Sequence, residues 1–512
     1  MQGEPRPLAA PVLAALLLAP AALAQSERPV LELSRDEAVE RALKNNADLR
    51  VEKYRPEISA EDERSARGAY DPLLTGRLDK TSRTDPASNA FTGGEKVTTD
   101  TWRWNFGARQ LFRTGGLLQL DFGNDRSDTN NVFSTFNPSY QSNLNLALTQ
   151  PLLRDRGIDS ARQQLKVSKN NREISDTQFR QTVINTVAGV KNAYYDVIAA
   201  LDNLEAQKKS LALAQKLLEE NQIKVRVGTM APLDVVAAES EVASREEGVI
   251  NAETLLGNSE DALKQAIFPT NDPETWALRI VPTDRPSAEA RVVETEAAIQ
   301  SALVKRTDVQ AARKAIDNNE IGLRLARSQT LPSVDLVAAY GTSGVGGTRL
   351  VRDGFGGPVV DTIPGGYGDA LGDVFGRDFP TWTLGVNLSY PLFNRGAKAN
   401  QARAQLSKEQ ALASLARLEL QVAAEVRFAA RSVEANYKRV ESTRAARVLQ
   451  ERRLDAEEKK FAAGMSTNFL VTQAQRDLAD SNVAEIRAIL DYRKSLIEFD
   501  RVQEAGLGGI SF

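Results

Sequence analysis

Three stretches of the chain repeat an apolar residue at every seventh position, over distances that few folds require. Val183, Val190, Val197, Leu204, Leu211, Leu218 and Val225 form the first series. Val235, Val242, Val249, Leu256 and Leu263 answer it after an interruption at Gly228 and Pro232. In the C-terminal half, Val426, Val433, Val440, Leu454 and Phe461 take the same step, broken at Arg447. A sustained seven-residue step predicts antiparallel helices packed side by side in a left-handed supercoil. Residues 158–227 hold one glycine and no proline, and residues 397–463 hold neither. Each segment therefore predicts a helix of about 100 Å at 1.5 Å per residue. A soluble coiled coil would carry the same periodicity.

The interruptions look alike. "KVRVGTMAPLDVVAAESEV" (224–242) and "KFAAGMSTNFLVTQAQRDL" (460–478) each place a glycine between two helical patterns. Glycine tolerates the left-handed backbone that ends a helix, and Pro232 suits the first turn of the next one. Gly228 and Gly464 are thus expected at the tips of two long hairpins.

A second pattern has period two. "TWTLGVNLSYPL" sets Trp382, Leu384, Val386, Leu388 and Tyr390 against Thr383, Gly385, Asn387 and Ser389. Leu144, Leu146 and Leu148 oppose Asn143 and Asn145; Leu118, Leu120 and Phe122 oppose Gln119 and Asp121; Trp102, Trp104 and Phe106 share a face. Alternation of apolar and small polar residues, with aromatics, is how a transmembrane barrel strand reads. Trp102, Trp104, Phe106, Trp382 and Tyr390 are the expected lipid-facing aromatics. A soluble sheet with one buried face would alternate too. The glycine-rich run at 341–380 and residues 83–100 are expected as exposed loops. The former has no GK[ST] and no following helix start, so it is not a phosphate loop.

These patterns occur twice. "AVERALKNNADLRVEK" from residue 38 matches "AIQSALVKRTDVQAAR" from residue 298, and the offset of 260 holds without a gap to Pro72 and Pro332. "LTQPLLRDRG" (148–157) matches "LSYPLFNRG" (388–396), and Lys224, Gly228, Leu233 and Ala238 match Lys460, Gly464, Phe469 and Ala474. So long a period indicates a duplication rather than a solenoid. The first repeat is expected over 25–268: a helix at 35–66 capped by Ser34 and Glu37, a β insert at 72–152, and a hairpin at 157–267. A linker covers 269–290. The second repeat is expected over 291–505, with a helix at 291–328, a β insert at 332–392 and a hairpin at 396–505. Residues 506–512 form a tail. Pro72, Pro151, Pro332 and Pro391 mark the helix–strand junctions, because proline disfavours helix in the residue before it.

Composition narrows the function. The chain has neither cysteine nor histidine. Disulfides, thiolate sites, Ser-His-Asp triads and HExxH zinc sites are excluded, and no cofactor is implied. A net charge of −3 gives no basic field for nucleic acid. Residues 8–24 are apolar and end in Ala22-Leu23-Ala24, which predicts a signal peptide over 1–24; an uncleaved anchor is the alternative. Beyond it no apolar run reaches 18 residues, so entry into a membrane requires β-strands. Two strands per insert would make four per chain, and a barrel needs at least eight, so several copies must share one. The first insert shows about four strand-like runs, which leaves the number open.

The duplicated helix, strand-pair and long-hairpin plan resembles the TolC-like outer-membrane efflux proteins. The Pro-Leu pairs at Pro151 and Pro391 and the tip pattern Gly-x4-Leu-Asp-Val at Gly228, Leu233, Asp234 and Val235 carry the resemblance. It implies an α+β membrane protein: a homotrimer whose transmembrane antiparallel β-barrel, of twelve strands, continues into a long α-helical barrel across the periplasm. It also implies a passive exit duct for efflux or type I secretion, serving a periplasmic adaptor and an inner-membrane pump of the RND or ABC type. Family members often carry aspartates six and nine residues after the second tip glycine; here Leu470 and Gln473 stand there. The gate is then either apolar, at Leu470 and Phe469, or polar and uncharged, at Gln473. Ordinary helix packing is the competing role for Leu470. A periplasmic coiled-coil adaptor or poreless envelope protein is the alternative function. A carboxylate-based enzyme such as a glycosidase is a third, weakened by acidic residues that lie beside Lys and Arg on solvated helix faces.

Overall fold

The computed structural model describes residues 29–86, 96–270, 272–284 and 288–504. The predicted signal peptide and tail lie outside the described residues. The described residues begin with strand β1 (Val30–Leu33) and helix α1 (Arg35–Asn45). At Ser34 the side chain accepts from the Glu37 N–H at 3.2 Å, and the Glu37 carboxylate accepts from the Ser34 N–H at 3.2 Å, the reciprocal capping box.

The helix expected over 35–66 is three helices: α1, α2 (Ala47–Glu52) and α3 (Tyr54–Arg67). Asn46 makes the first break. Its backbone leaves the helical region (φ −58, ψ 129) and its side-chain oxygen accepts from the N–H groups of Asp48 and Leu49. Asparagine competes with the backbone for such bonds and favours caps over helix interiors.

Four long strands follow: β2 (Leu73–Pro86), β3 (Lys96–Leu111), β4 (Leu117–Thr129) and β5 (Phe136–Pro151). Helix α4 (Ser160–Arg226, 67 residues) runs to the first tip and α5 (Pro232–Ile267, 36 residues) returns. The segment expected as a plain linker holds α6 (Pro273–Ala277) and strand β6 (Arg279–Pro282), which pairs in parallel with β1. Four residues are too few for an alternation to be read, so neither strand was predicted.

The second half repeats the order. The helix expected over 291–328 is split into α7 (Thr295–Lys305) and α8 (Thr307–Ser328). Arg306 makes the break with the same angles as Asn46, and the Glu504 carboxylate accepts from the Thr307 N–H at 2.6 Å. Then come β7 (Ser333–Arg352), β8 (Val359–Ile363), α9 (Tyr367–Gly376) and β9 (Phe379–Ser389). Helices α10 (Arg395–Ala462, 68 residues) and α11 (Asn468–Val502, 35 residues) are the last described elements. The strands form one antiparallel sheet in the order β2-β3-β4-β5-β7, with β9 on the first half of β7 and β8 on its end.

Each long helix is about twice the length of its return partner, so the remaining length takes other neighbours. Near the sheet, α3, α4, α8 and α10 lie side by side; toward the tips, α4 packs on α5 and α11, and α11 on α10. This changes the buried stripe. Val183, Val190, Val197 and Leu204 are buried as predicted, but farther on the buried residues are Ala214, Leu217 and Asn221. Leu211 and Leu218 are only half-buried. An α-helix drifts against a strict seven-residue step, and α4 gains a new neighbour where the drift shows.

The largest core lies where β1 and β6 clasp α4 and α5. Leu33, Tyr194, Val197, Leu263, Ile267 and Ile280 are fully buried there. The Tyr194 hydroxyl donates to the Leu33 carbonyl at 3.0 Å and accepts from the Asp284 N–H at 3.3 Å, so its polar end is satisfied inside an apolar site. A second core joins α7, α8, α10 and α11 around Val309, Val426 and Tyr492. A small third one, with Leu217, Leu454, Val471 and Ala474, ties the two hairpins together.

Candidate pore wall and hairpin tips

The sheet has two chemically different faces. Cross-strand pairs Leu78–Trp104, Phe106–Phe122, Phe122–Leu144, Leu146–Tyr340 and Tyr340–Trp382 carry one apolar face through β2, β3, β4, β5, β7 and β9. The opposite face pairs Arg77 with Asn105, Asp79 with Arg103, Asp121 with Asn145 and Asp335 with Asn387. The Arg77 guanidinium lies 2.7 Å from the Asp79 carboxylate, and that of Arg103 lies 3.5 Å from it. A sheet built this way suits a wall between hydrocarbon and water.

The predicted aromatics divide. Trp102, Phe106 and Trp382 are exposed on the apolar face. Trp104 shares it but is half-buried, because Tyr367 of α9 meets its ring edge-on at 5.3 Å. Tyr390 lies one residue beyond β9. Pro72, Pro151, Pro332 and Pro391 all stand at the sheet end that adjoins the helices, within two residues of a strand terminus.

The glycine-rich run expected as a loop from 341 is strand and helix instead. Strand β7 continues through it to Arg352, and α9 packs on the apolar face of the sheet. A Cβ at Gly344 would sit 2.1 Å from the Ala370 carbonyl, and one at Gly346 2.2 Å from that of Gly366. These glycines therefore admit the helix backbone. The Tyr367 hydroxyl and Ser142 both donate to Asn124, at 2.8 and 2.9 Å. Glycine depresses strand propensity, so the same residues that seat α9 hid β7 from the sequence reading.

The tips lie at the other end of the rods. Gly228 has φ +77 and Gly464 φ +73. The Gly228 N–H donates to Val225 and the Thr229 N–H to Lys224; Gly464 and Met465 donate in the same way to Phe461 and Lys460. Both ends are Schellman motifs, which need the left-handed residue that glycine supplies. Leu233 and Phe469 are 77% and 70% exposed, and Leu470 is 42% exposed, outside the described apolar cores. Gln473 is half-buried and donates to Asp477 at 2.7 Å, which in turn pairs with Arg453. Asp234 lies in the first turn of α5, and its carbonyl accepts from the Asn468 side chain at 3.4 Å.

Polar contacts that the sequence reading missed join the two tips. The Asn221 amide donates to Asn468 at 2.9 Å, with both residues buried. Lys224 Nζ lies 3.5 Å from the centre of the Phe461 ring. Glu241, buried on α5, accepts from Arg476 of α11 at 2.9 Å and from Arg245 at 2.7 Å. Burial pushes the Glu241 carboxyl upward, but the bonds to Arg476 and Arg245 outweigh it and hold the group below its usual range. No sequence signal marked these contacts: Asn221 lies off the seven-residue stripe, between Leu218 and Val225.

A slab of paired rods, a two-faced sheet at one end and glycine tips at the other is the geometry of known envelope channels. The profile of the family described as outer membrane efflux protein matches residues 38–267 and 298–502. The chain belongs to that family. Outer membrane protein TolC of Vibrio cholerae is 26% identical over 63% of this chain and 68% of the relative. The pyoverdine export outer membrane protein OpmQ of Pseudomonas aeruginosa is 22% identical over 74% of this chain and 71% of its own. Among solved structures, the Campylobacter jejuni CmeC outer membrane channel superposes with a TM-score of 0.65 at 16% identity, covering 97% of this chain and 94% of that one. A membrane protein from Pseudomonas aeruginosa gives 0.67 at 17% identity, covering 93% and 94%. This chain is accordingly an outer-membrane exit duct of efflux systems. The family is one of channels rather than enzymes.

Proposed function

We propose that the duct is a homotrimer of internally duplicated chains, delivered by a cleaved signal peptide over residues 1–24. Its sheets form a barrel in outer-membrane lipid, and its paired rods form a helical tunnel into the periplasm. The observation that carries this reading is the sheet itself: it has an apolar and a polar face, and it ends in two open edges that lipid does not tolerate. The tips at Gly228 and Gly464 receive a periplasmic adaptor coupled to an inner-membrane pump of the RND or ABC type. Exposed Leu233 and Phe469 offer apolar anchors for that contact.

Transport is passive, and control lies at the tips. Asn221–Asn468 and Glu241–Arg476 hold the second hairpin against the first; separating them splays the mouth. While they hold, Leu470 makes an apolar constriction that excludes ions by dewetting. Small molecules and polypeptides both fit such a duct. The test is extraction and sizing: the protein should need detergent and migrate as a heat-modifiable trimer. A water-soluble monomer would overturn the reading.

A further inference from the structure

The first β insert is larger than a two-strand contribution, and its placement shows what the extra strands do. Strands β2 and β9 are the two outer edges of the main sheet, and nearly every residue on both is exposed. The β2–β3 hairpin is not folded away from the other strands. Leu78 pairs with Trp104, and Phe106 pairs with Phe122 of β4, so the hairpin carries the apolar band of its neighbours without a step. Its other face continues the polar lining with Arg77, Asp79 and Arg103.

Resting on the trimeric duct above, we propose that β2 of one copy pairs with β9 of the next and that all six long strands enter the wall. Three copies then close an eighteen-stranded barrel. Strands about 4.8 Å apart and tilted about 40° span about 38 Å per six. The four helices beside them, about 10 Å apart, span about 40 Å. Six strands thus meet the tunnel at full width at an ordinary tilt. The barrel would measure about 36 Å between opposite backbones, against about 24 Å for twelve strands. Its lining mixes arginine and aspartate, so the exit sorts by size and not by sign of charge. The cargo class it fits is bulky and hydrated: a polypeptide or other polymer, in addition to small molecules.

The absence of cysteine makes a clean cross-linking test possible in the full chain. Thr81→Cys on β2 is combined in turn with Thr381→Cys, Thr383→Cys or Asn387→Cys on β9, which samples the register. Asp125→Cys on β4 is combined with the same three. At least one Thr81 pair should convert most of the monomer band to reducible dimer and trimer, and no Asp125 pair should. Cross-linking only from Asp125, or none from either set in a detergent-stable trimer, would overturn the widened wall and leave the duct standing. A protein that is monomeric throughout would overturn the duct itself.

Discussion

The clasp around Tyr194 and the junction of the two tips solve the same problem, holding helices side by side, by different means. At the clasp, Leu33, Tyr194, Leu263 and Ile280 bury apolar surface completely, and their one polar side-chain group, the Tyr194 hydroxyl, is satisfied within the chain. At the tips, the small apolar cluster of Leu217, Leu454, Val471 and Ala474 is supplemented by an amide pair, a cation over a ring and a carboxylate shared by two arginines. Apolar burial is non-directional and fails only with the whole core. A polar link trades readily for water, because its net contribution is small. The clasp is therefore held by apolar burial, while the tip joint depends more on polar links around a small apolar cluster.

That contrast can be broken most forcefully at the clasp. Tyr194→Ala should destabilise the fold by about 3–5 kcal/mol and deplete trimer, read by thermal unfolding in detergent. At the tip, Gly464→Val places a β-branched residue at φ +73, which costs about 1–3 kcal/mol of backbone strain. Nothing lies within 4 Å of the new Cβ, so the trimer should assemble while export falls. Normal export would contradict the tip role. Arg476→Ala should cost less, about 1 kcal/mol, since Arg476 is half-exposed and Arg245 still pairs with Glu241. Its signature is a leakier tip, measured as raised conductance in planar bilayers with a melting temperature lowered by no more than about 2 °C.

Acid gives the mildest perturbation. A carboxyl whose pKa is lowered by folding stabilises above its unfolded value, 4.5 for Glu241, and loses that contribution as pH falls through the folded value. Conductance should stay flat from about pH 8 to about pH 5 and rise only below the carboxylate range. A rise near neutrality would assign the lock to another group.

Much of this molecule was legible because its patterns are long. Seventy residues of helical periodicity average out local irregularity, and a glycine followed by a new helix start identifies a tip whatever packs around it. The strands at Trp102, Leu118, Leu144 and Trp382 were readable for the same reason: each alternates over several turns of the pleat. Shorter or non-local features escaped. The clasp strands β1 and β6 are four residues each, and Arg279 pairs with Val30 across most of the first half of the chain. The glycines of β7 look like a loop until α9 is seen resting on them.

The sequence by itself determined that rods end in glycine tips and that amphipathic ribbons join them, because periodicity and backbone preference are local properties. Only the tertiary structure decided that Asn221 faces Asn468, that Glu241 meets Arg476 and that β2 and β9 become the open edges. Those outcomes depend on which distant segments come side by side, and no local pattern encodes a neighbour.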